Sequence, residues 1–213
     1  MILGFDTSGP YCSVAVLSGD AVLTARHVEM EKGQAEHLMP LIQDCLSEAG
    51  ADFGDLKRIG VGTGPGNFTG IRISVSAARG LALALGIPAL GVTLFEALRY
   101  EASLPALASL PATKQTIYIA ELTEDGTSAP VQCTLEEVSA PSFTEFACIG
   151  YRAEEIAAKF GLAYHEASLK PGEAIARVAA MLDATNAPRP APYYLRPADA
   201  APPRDPAPII LDP

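Results

Sequence analysis

Two short segments hold residue types suited to phosphate chemistry. Asp6-Thr7-Ser8-Gly9 follows an apolar opening, Ile2-Leu3-Gly4-Phe5, and Gly62-Thr63-Gly64-Pro65-Gly66-Asn67 follows Ile59-Gly60-Val61. A carboxylate at a strand end can organise a divalent cation. A glycine-dense turn between a strand and a helix can present a nest of backbone N–H groups to an anion. Asp6, Thr7, Ser8, Gly64, Gly66 and Asn67 are therefore the candidate phosphate-proximal residues. The turn matches neither Gly-x-x-x-x-Gly-Lys-Ser/Thr nor Gly-x-Gly-x-x-Gly with a suitably spaced acid. Its alternative reading is local: glycines that let the chain turn sharply, and an acid that accepts from its own turn.

An acid at a strand end beside a small-residue hairpin is also how the actin-like ATPase fold places its metal-organising carboxylate, an analogy at the level of fold. That fold needs a second acid-bearing hairpin to clamp the phosphates. The corresponding place reads Ala112-Thr113-Lys114-Gln115-Thr116, without a carboxylate. Half the clamp is missing, and ATP hydrolysis by this chain alone is not expected. His27, His37 and His165 are the only histidines, and no two lie three or four residues apart, so no metal site is expected. No serine sits in a Gly-x-Ser-x-Gly elbow or a Ser-x-x-Lys pair, and no catalytic residue is assigned.

The elements that must position these residues follow from periodicity. Residues 1–30 read as a three-strand meander, with turns at Ser8-Gly9-Pro10 and Ser18-Gly19-Asp20. Residues 34–49 carry Leu38, Leu41, Ile42, Cys45, Leu46 and Ala49 at helical spacing; Pro40 places the helix start near Glu36, and Gly50 ends it. Next come a strand near 57–63, the glycine turn, a helix over 69–85 and a strand over 88–92. A helix capped by Thr93 then runs to about Ala102. In the second half, strands are expected at 116–122, 131–135 and 147–149, and helices at 153–160 and 172–182. From Ala187 onward proline dominates, so the tail is expected to be extended with a disordered end. The pattern predicts a mixed α/β fold with helices flanking the sheet.

At 213 residues the chain can bury a sizeable core, and 49% hydrophobic with 19% charged residues suits a globular protein. The net charge of −10 lacks the positive field that would hold a phosphate backbone, which excludes stand-alone nucleic-acid binding. Cys12, Cys45, Cys133 and Cys148 form no Cys-x-x-Cys pair and read as reduced thiols. No apolar run is expected to reach the roughly 18 residues needed to span a bilayer, and the N-terminus reads as a strand and not a signal peptide, so a cytoplasmic protein away from membranes is expected.

The helix over 69–85 has two apolar stripes, Gly70-Ser74-Ala77-Leu81 and Ile71-Val75-Ala78-Ala82. One stripe is expected to cover the sheet and the other to meet a partner, since small residues let a second helix approach closely. With the helix over 34–49, this nominates Leu38, Leu41, Ile42, Cys45, Gly70, Ile71, Ser74, Val75, Ala78 and Leu81 as the partner face. A charge at Ser74 or Ala78, if outward, is expected to block docking.

Several segments resemble the TsaB (YeaZ) family: the opening Ile-Leu-Gly-Phe-Asp-Thr-Ser with Cys-Ser-Val-Ala-Val, Glu36-His37-Leu38-Met39-Pro40-Leu41-Ile42, and Gly64-Pro65-Gly66-Asn67-Phe68-Thr69-Gly70-Ile71-Arg72. Gly80-Leu81-Ala82-Leu83, Gly91-Val92 and the later Tyr193-Tyr194-Leu195-Arg196 extend the likeness. The resemblance implies a two-lobed ASKHA fold (acetate and sugar kinases, Hsc70, actin), with lobes over residues 1–104 and 105–213. It implies a non-catalytic scaffolding subunit that pairs with a metal-bearing TsaD-like subunit and a TsaE-like ATPase. Together these transfer threonylcarbamoyl to adenosine 37 of tRNA. ATP, ADP and metal then belong to the partners, tRNA is met only through the complex, and a homodimer forms when TsaD is absent. Ala112-Thr113-Lys114 departs from the family's Asp-Ala-Arg. The alternatives from other classes are a stand-alone ASKHA-type ATP-dependent small-molecule kinase and a hydrolase.

Overall fold

The computed structural model describes residues 1–142 and 146–195. Arg196 and the expected disordered tail end lie outside the described residues. The first sheet is built from β1 (Ile2–Asp6), β2 (Tyr11–Ser18), β3 (Ala21–Glu29), β4 (Arg58–Gly62) and β5 (Ala89–Val92) in the order β3-β2-β1-β4-β5. β1 is antiparallel to β2 and parallel to β4, and β4 is parallel to β5. α1 (Gln34–Glu48) and α2 (Phe68–Leu85) cover one face, and α3 (Leu94–Glu101) follows β5.

The second sheet uses β6 (Ala106–Pro111), β7 (Ile117–Thr123), β8 (Gly126–Thr127), β9 (Val131–Cys133), β10 (Ala147–Gly150) and β11 (Ala163–His165). Its order is β11-β10-β6-β7, with β8 and β9 both on β7. β6 is antiparallel to β7 and parallel to β10, which is parallel to β11. This repeats the first sheet's arrangement: a hairpin, a third strand outside it, then two parallel strands on the other side. α4 (Ala153–Phe160) and α5 (Pro171–Met181) stand where α2 and α3 stand in the first half. The α1 position has no helix among the described residues; Val138 and Phe146 fill the space beside α4.

Alternation along β1 and β4 sorts the layers. Leu3, Phe5, Ile59 and Val61 join Leu38, Ile42 and Leu46 of α1 and Ala78 of α2 in one core. Gly4 and Gly60, paired across the two strands, face α5 instead. A second core lies between the sheets, where Ile175 and Ala179 of α5 meet Phe95 and Leu98 of α3 and Ala108 and Ala120 of the second sheet. The last helix of the second half thus covers the first sheet.

Helix ends follow their residues. Asn67 Oδ1 accepts from Gly70 N–H at 3.0 Å, and Thr93 and Glu96 form a reciprocal capping box. Left-handed Gly86 ends α2. One boundary differs from expectation: α1 begins at Gln34, which leaves Pro40 inside the helix rather than in its first turn. Left-handed Gly33 starts the helix, and its carbonyl accepts from His37 N–H at 3.1 Å. Pro40 therefore interrupts an already formed backbone ladder and forfeits one bond.

The β6–β7 connection closes with Thr116 N–H on Thr113 O at 3.2 Å, and Lys114 and Gln115 between them have φ of 55° and 64°. Two left-handed central residues are what a type I′ hairpin turn requires, and Asn-Gly suits it better. The double substitution Lys114→Asn, Gln115→Gly should raise stability by about 1 kcal/mol, read as a higher urea midpoint at unchanged slope.

Candidate functional site

The structure brings the two nominated segments into direct contact. Ser8 O accepts from Asn67 N–H at 2.6 Å, and Thr7 Oγ1 donates to Gly70 O at 2.7 Å. A Cβ on Gly66 would lie 2.5 Å from Ser8 O, and one on Gly70 would overlap Thr7 O. The glycines at 66 and 70 are thus required by the close approach of the β1–β2 loop. The N–H of Asn67 is taken by Ser8, that of Gly70 by the Asn67 side chain and that of Ile71 by Asn67 O. At these positions the chain's own oxygens sit where an anion would. Gly64 serves the same packing: its carbonyl accepts from Leu94 N–H at 2.8 Å, and Tyr193 N–H donates to Thr63 O at 2.8 Å.

Asp6 is fully buried. Its Oδ2 accepts from Ser8 Oγ at 2.7 Å and Tyr11 OH at 2.8 Å, while Oδ1 lies against Gly62 with no partner. Burial pushes its carboxyl above the ordinary aspartate range, against the lowering effect of the Ser8 and Tyr11 hydroxyls. Tyr11 is raised well above its ordinary value, first by burial and then by the Asp6 charge. Because folding raises the Asp6 pKa, this group's contribution to stability is fully present below the unfolded pKa. It is lost as pH rises through the folded one. Asp6→Asn removes the ionisation while keeping an acceptor. Its stability relative to the parent should therefore grow as pH rises above the ordinary carboxylate range in parallel denaturation series, and a constant difference would refute this.

The ten nominated interface residues lie differently from expectation. Leu38, Ile42, Cys45, Gly70, Ile71, Ser74, Val75 and Ala78 are buried within the chain, and only Leu41 and Leu81 are half-buried. Ser74 Oγ is satisfied by carbonyls at its back, including Gly62 O at 3.2 Å. The correction has a geometric cause. At 100° per residue, the rows through Gly70 and Ile71 are neighbours, and together they form one broad face on the sheet. The outward stripe of α2 is Phe68, Arg72, Ser76, Arg79 and Leu83, all exposed, with Leu83 84% exposed. Phe68 stacks on Tyr194 with ring centroids 4.6 Å apart, and the Arg72 guanidinium lies 5.1 Å from the Phe68 ring centroid. Met39, Pro40 and Gln43 of α1 are exposed as well. By length and composition α2 is apolar enough to cross a membrane, with a mean hydropathy of 1.2 over 18 residues, which corrects the expectation that no segment would be. Its inward face packs on the sheet.

Sequence reasoning missed a second grouping. Tyr11, His27 and Glu29 line a cavity between the β1–β2 loop, α3 and the start of α5. The Tyr11 and His27 ring centroids are 4.7 Å apart, and His27 Nε2 lies 2.9 Å from Glu29 Oε1. Only the strand register, which sets Tyr11 opposite Glu29 and Ser13 opposite His27, could have signalled it. Among the described residues no group of three His, Cys, Asp or Glu could hold a metal ion. All four cysteines are free, and burial pushes Cys12 and Cys148 up to about 11.

A family model described as TsaD, tRNA N6-adenosine threonylcarbamoyltransferase, matches residues 29–160. The Escherichia coli K12 protein named tRNA threonylcarbamoyladenosine biosynthesis protein TsaB is 33% identical over 129 residues, covering 58% of this chain and 55% of that protein. Its Bacillus subtilis namesake is 35% identical over 97 residues, covering 46% and 42%. The matched part thus spans about half the length of these curated relatives. The solved structure of YeaZ from Pseudomonas aeruginosa superposes with a TM-score of 0.70 at 26% identity, over 91% of this chain and 99% of that one. Component A of the Acidaminococcus fermentans (R)-2-hydroxyglutaryl-CoA dehydratase, at 9% identity, shares the fold alone, with a TM-score of 0.55. Duplicated mixed sheets, a β1–β2 loop packed on a glycine turn, and these likenesses agree on an ASKHA-type fold, and the chain belongs to the TsaB/YeaZ family.

Proposed function

We propose that this chain is a non-catalytic scaffolding subunit of a tRNA threonylcarbamoyladenosine-forming complex and that it docks a TsaD-like subunit through the outward faces of α1 and α2. The observation that carries this reading is the stripe Phe68, Arg72, Ser76, Arg79 and Leu83 on a long apolar helix. An aromatic ring and two arginines on one rigid face are residue types enriched at interfaces, and Leu83 adds exposed apolar area beside them. The filled turn at Thr7-Ser8 and the buried Asp6 support the non-catalytic part, because neither is presented to a phosphate. The net charge of −10 supports contact with tRNA only through a partner. ATP and metal would then be held by TsaD-like and TsaE-like subunits in the cytoplasm, and a second copy of the chain would occupy the same face when TsaD is absent.

Mixing the purified chain with a TsaD-like protein from the same organism, followed by size-exclusion chromatography with light scattering, tests the proposal. A one-to-one complex is expected, with Mg-ATP turnover absent from the chain alone. Separate elution over a range of concentrations would sink the scaffold reading, and turnover by the isolated chain would favour the kinase instead.

A further inference from the structure

The segment that follows α5, residues 183–195, lies beside α2. Ala184, Ala187 and Leu195 pack against the core between the sheets. Pro190 is buried over Gly91 of β5, where an added Cβ would lie 3.5 Å from Pro190 Cα. Tyr193 N–H is held by Thr63 O, and Tyr194 stacks on Phe68 at the start of α2. Arg189 stands between Pro188 and Pro190, a setting that holds its backbone extended. The segment is thus pinned on both sides of Arg189 and presents that side chain from a stiff support.

A groove of about 370 Å³ runs between this segment and the last turns of α2. Its wall includes Leu83, Ile87, Pro88 and Pro190 with two cations, the exposed Arg79 and Arg189, and no acidic residue. The ion pairs among the described residues belong to Arg26, His27, Arg152 and Arg177, so neither guanidinium in the groove is paired with an acid there. Like charges on one wall repel, and an anion brought between them relieves the repulsion. In a chain of net charge −10, a groove with cations alone is a local reversal of sign. Planar guanidinium forks match a carboxylate, and the leucine and isoleucine beside them leave apolar surface to be covered. A second copy of the chain on the same face would bring the same two arginines and no acid from this wall, so a different protein supplies the carboxylate. We propose that the groove receives a carboxylate side chain of the subunit that docks on α2, paired with Arg79 and Arg189, while an apolar neighbour of that carboxylate covers Leu83. This inference rests on the docking reading above and adds the 183–195 segment to the docking surface.

Arg189→Glu tests it, with Lys114→Glu as the control. Lys114 is exposed on the β6–β7 turn of the second sheet, and its reversal changes the net charge equally. Each variant is titrated by calorimetry with a TsaD-like protein from the same organism, at about 50 mM and about 500 mM salt. Arg189→Glu should weaken binding about tenfold or more at low salt, with a smaller loss at high salt, and should leave the urea midpoint unchanged. Lys114→Glu should bind as the parent does. Equal binding by Arg189→Glu and the parent, or equal losses from the two reversals, would overturn this inference and leave the docking reading standing. No complex from the parent chain would overturn both. An effect of Arg189→Glu confined to self-association, read by light scattering, would put a second copy in the groove and overturn it as well.

Discussion

Gly4→Val should destabilise the protein by about 3 kcal/mol or more, lowering its melting temperature by roughly 6–12 °C. Gly4 on β1 and Gly60 on β4 lie side by side beneath α5. A Cβ at Gly4 would come within 2.5 Å of Ala176 Cβ and 2.7 Å of Ala176 N, and would overlap Gly172 O. At Gly60 it would come within 2.7 Å of Ala179 Cβ and 2.9 Å of Ile175 O. These neighbours are backbone or Cβ atoms, so no flexible side-chain end can give way and the helix itself must lift. Lifting α5 would expose Ile175, Ala176 and Ala179, all fully buried, and break the bond from Gly172 N–H to Ser13 Oγ at 2.9 Å. It would also part the two halves of the chain, because α5 follows the second sheet yet packs on the first. Gly80→Ala is the control of opposite sign. Gly80 is exposed inside α2, a Cβ there meets nothing within 4 Å, and alanine should stabilise by about 0.5–1 kcal/mol. Denaturant unfolding of both variants checks the pair, and similar midpoints would mean that the α5 contact yields more easily than its geometry implies.

Much of the first half is legible in the sequence because local signals agree there. Alternation marks β1 and β2, Asn67 and Thr93 cap their helices, and Gly50 and Gly86 follow theirs with left-handed φ. The second half is less legible. β6 escapes because Ala-Leu-Ala-Ser-Leu-Pro has no β-branched residue, and it exists through pairing with β7 and β10. β8 and β11 are two and three residues long and cannot show a period. The turn at Thr7-Ser8 and Gly66 could be proposed from residue types. That the chain's own carbonyls fill it follows from a contact between segments far apart in sequence. The cavity is less visible still, since His27, Leu98 and Lys170 come from three remote elements.

Leu83→Asp should abolish capture of a TsaD-like partner while leaving the isolated fold intact. Leu83 is 84% exposed on α2, so a charge there stays hydrated in the free chain and should change stability by no more than about 0.5 kcal/mol. Inside a docked interface the same carboxylate would be stripped of water, and neighbouring Arg79 could offset only part of that cost. A net loss of about 3 kcal/mol, more than a hundredfold in Kd, is expected. Ala78→Asp cannot serve in its place. Ala78 is fully buried against the first sheet, so a charge there would unfold the chain and abolish binding for an unrelated reason. Arg79→Glu supplies an independent reading from the same stripe, with weaker binding and a changed dependence on salt. The decisive comparison sets binding by calorimetry beside unfolding by urea for each variant. If Leu83→Asp bound as tightly as the parent, the outward stripe of α2 would not be the docking face. If it lost binding and stability together, the face would be structural. Only lost binding with retained stability makes this helix an exposed surface kept for a partner, and that outcome would also explain why so apolar a helix leaves its outer side uncovered.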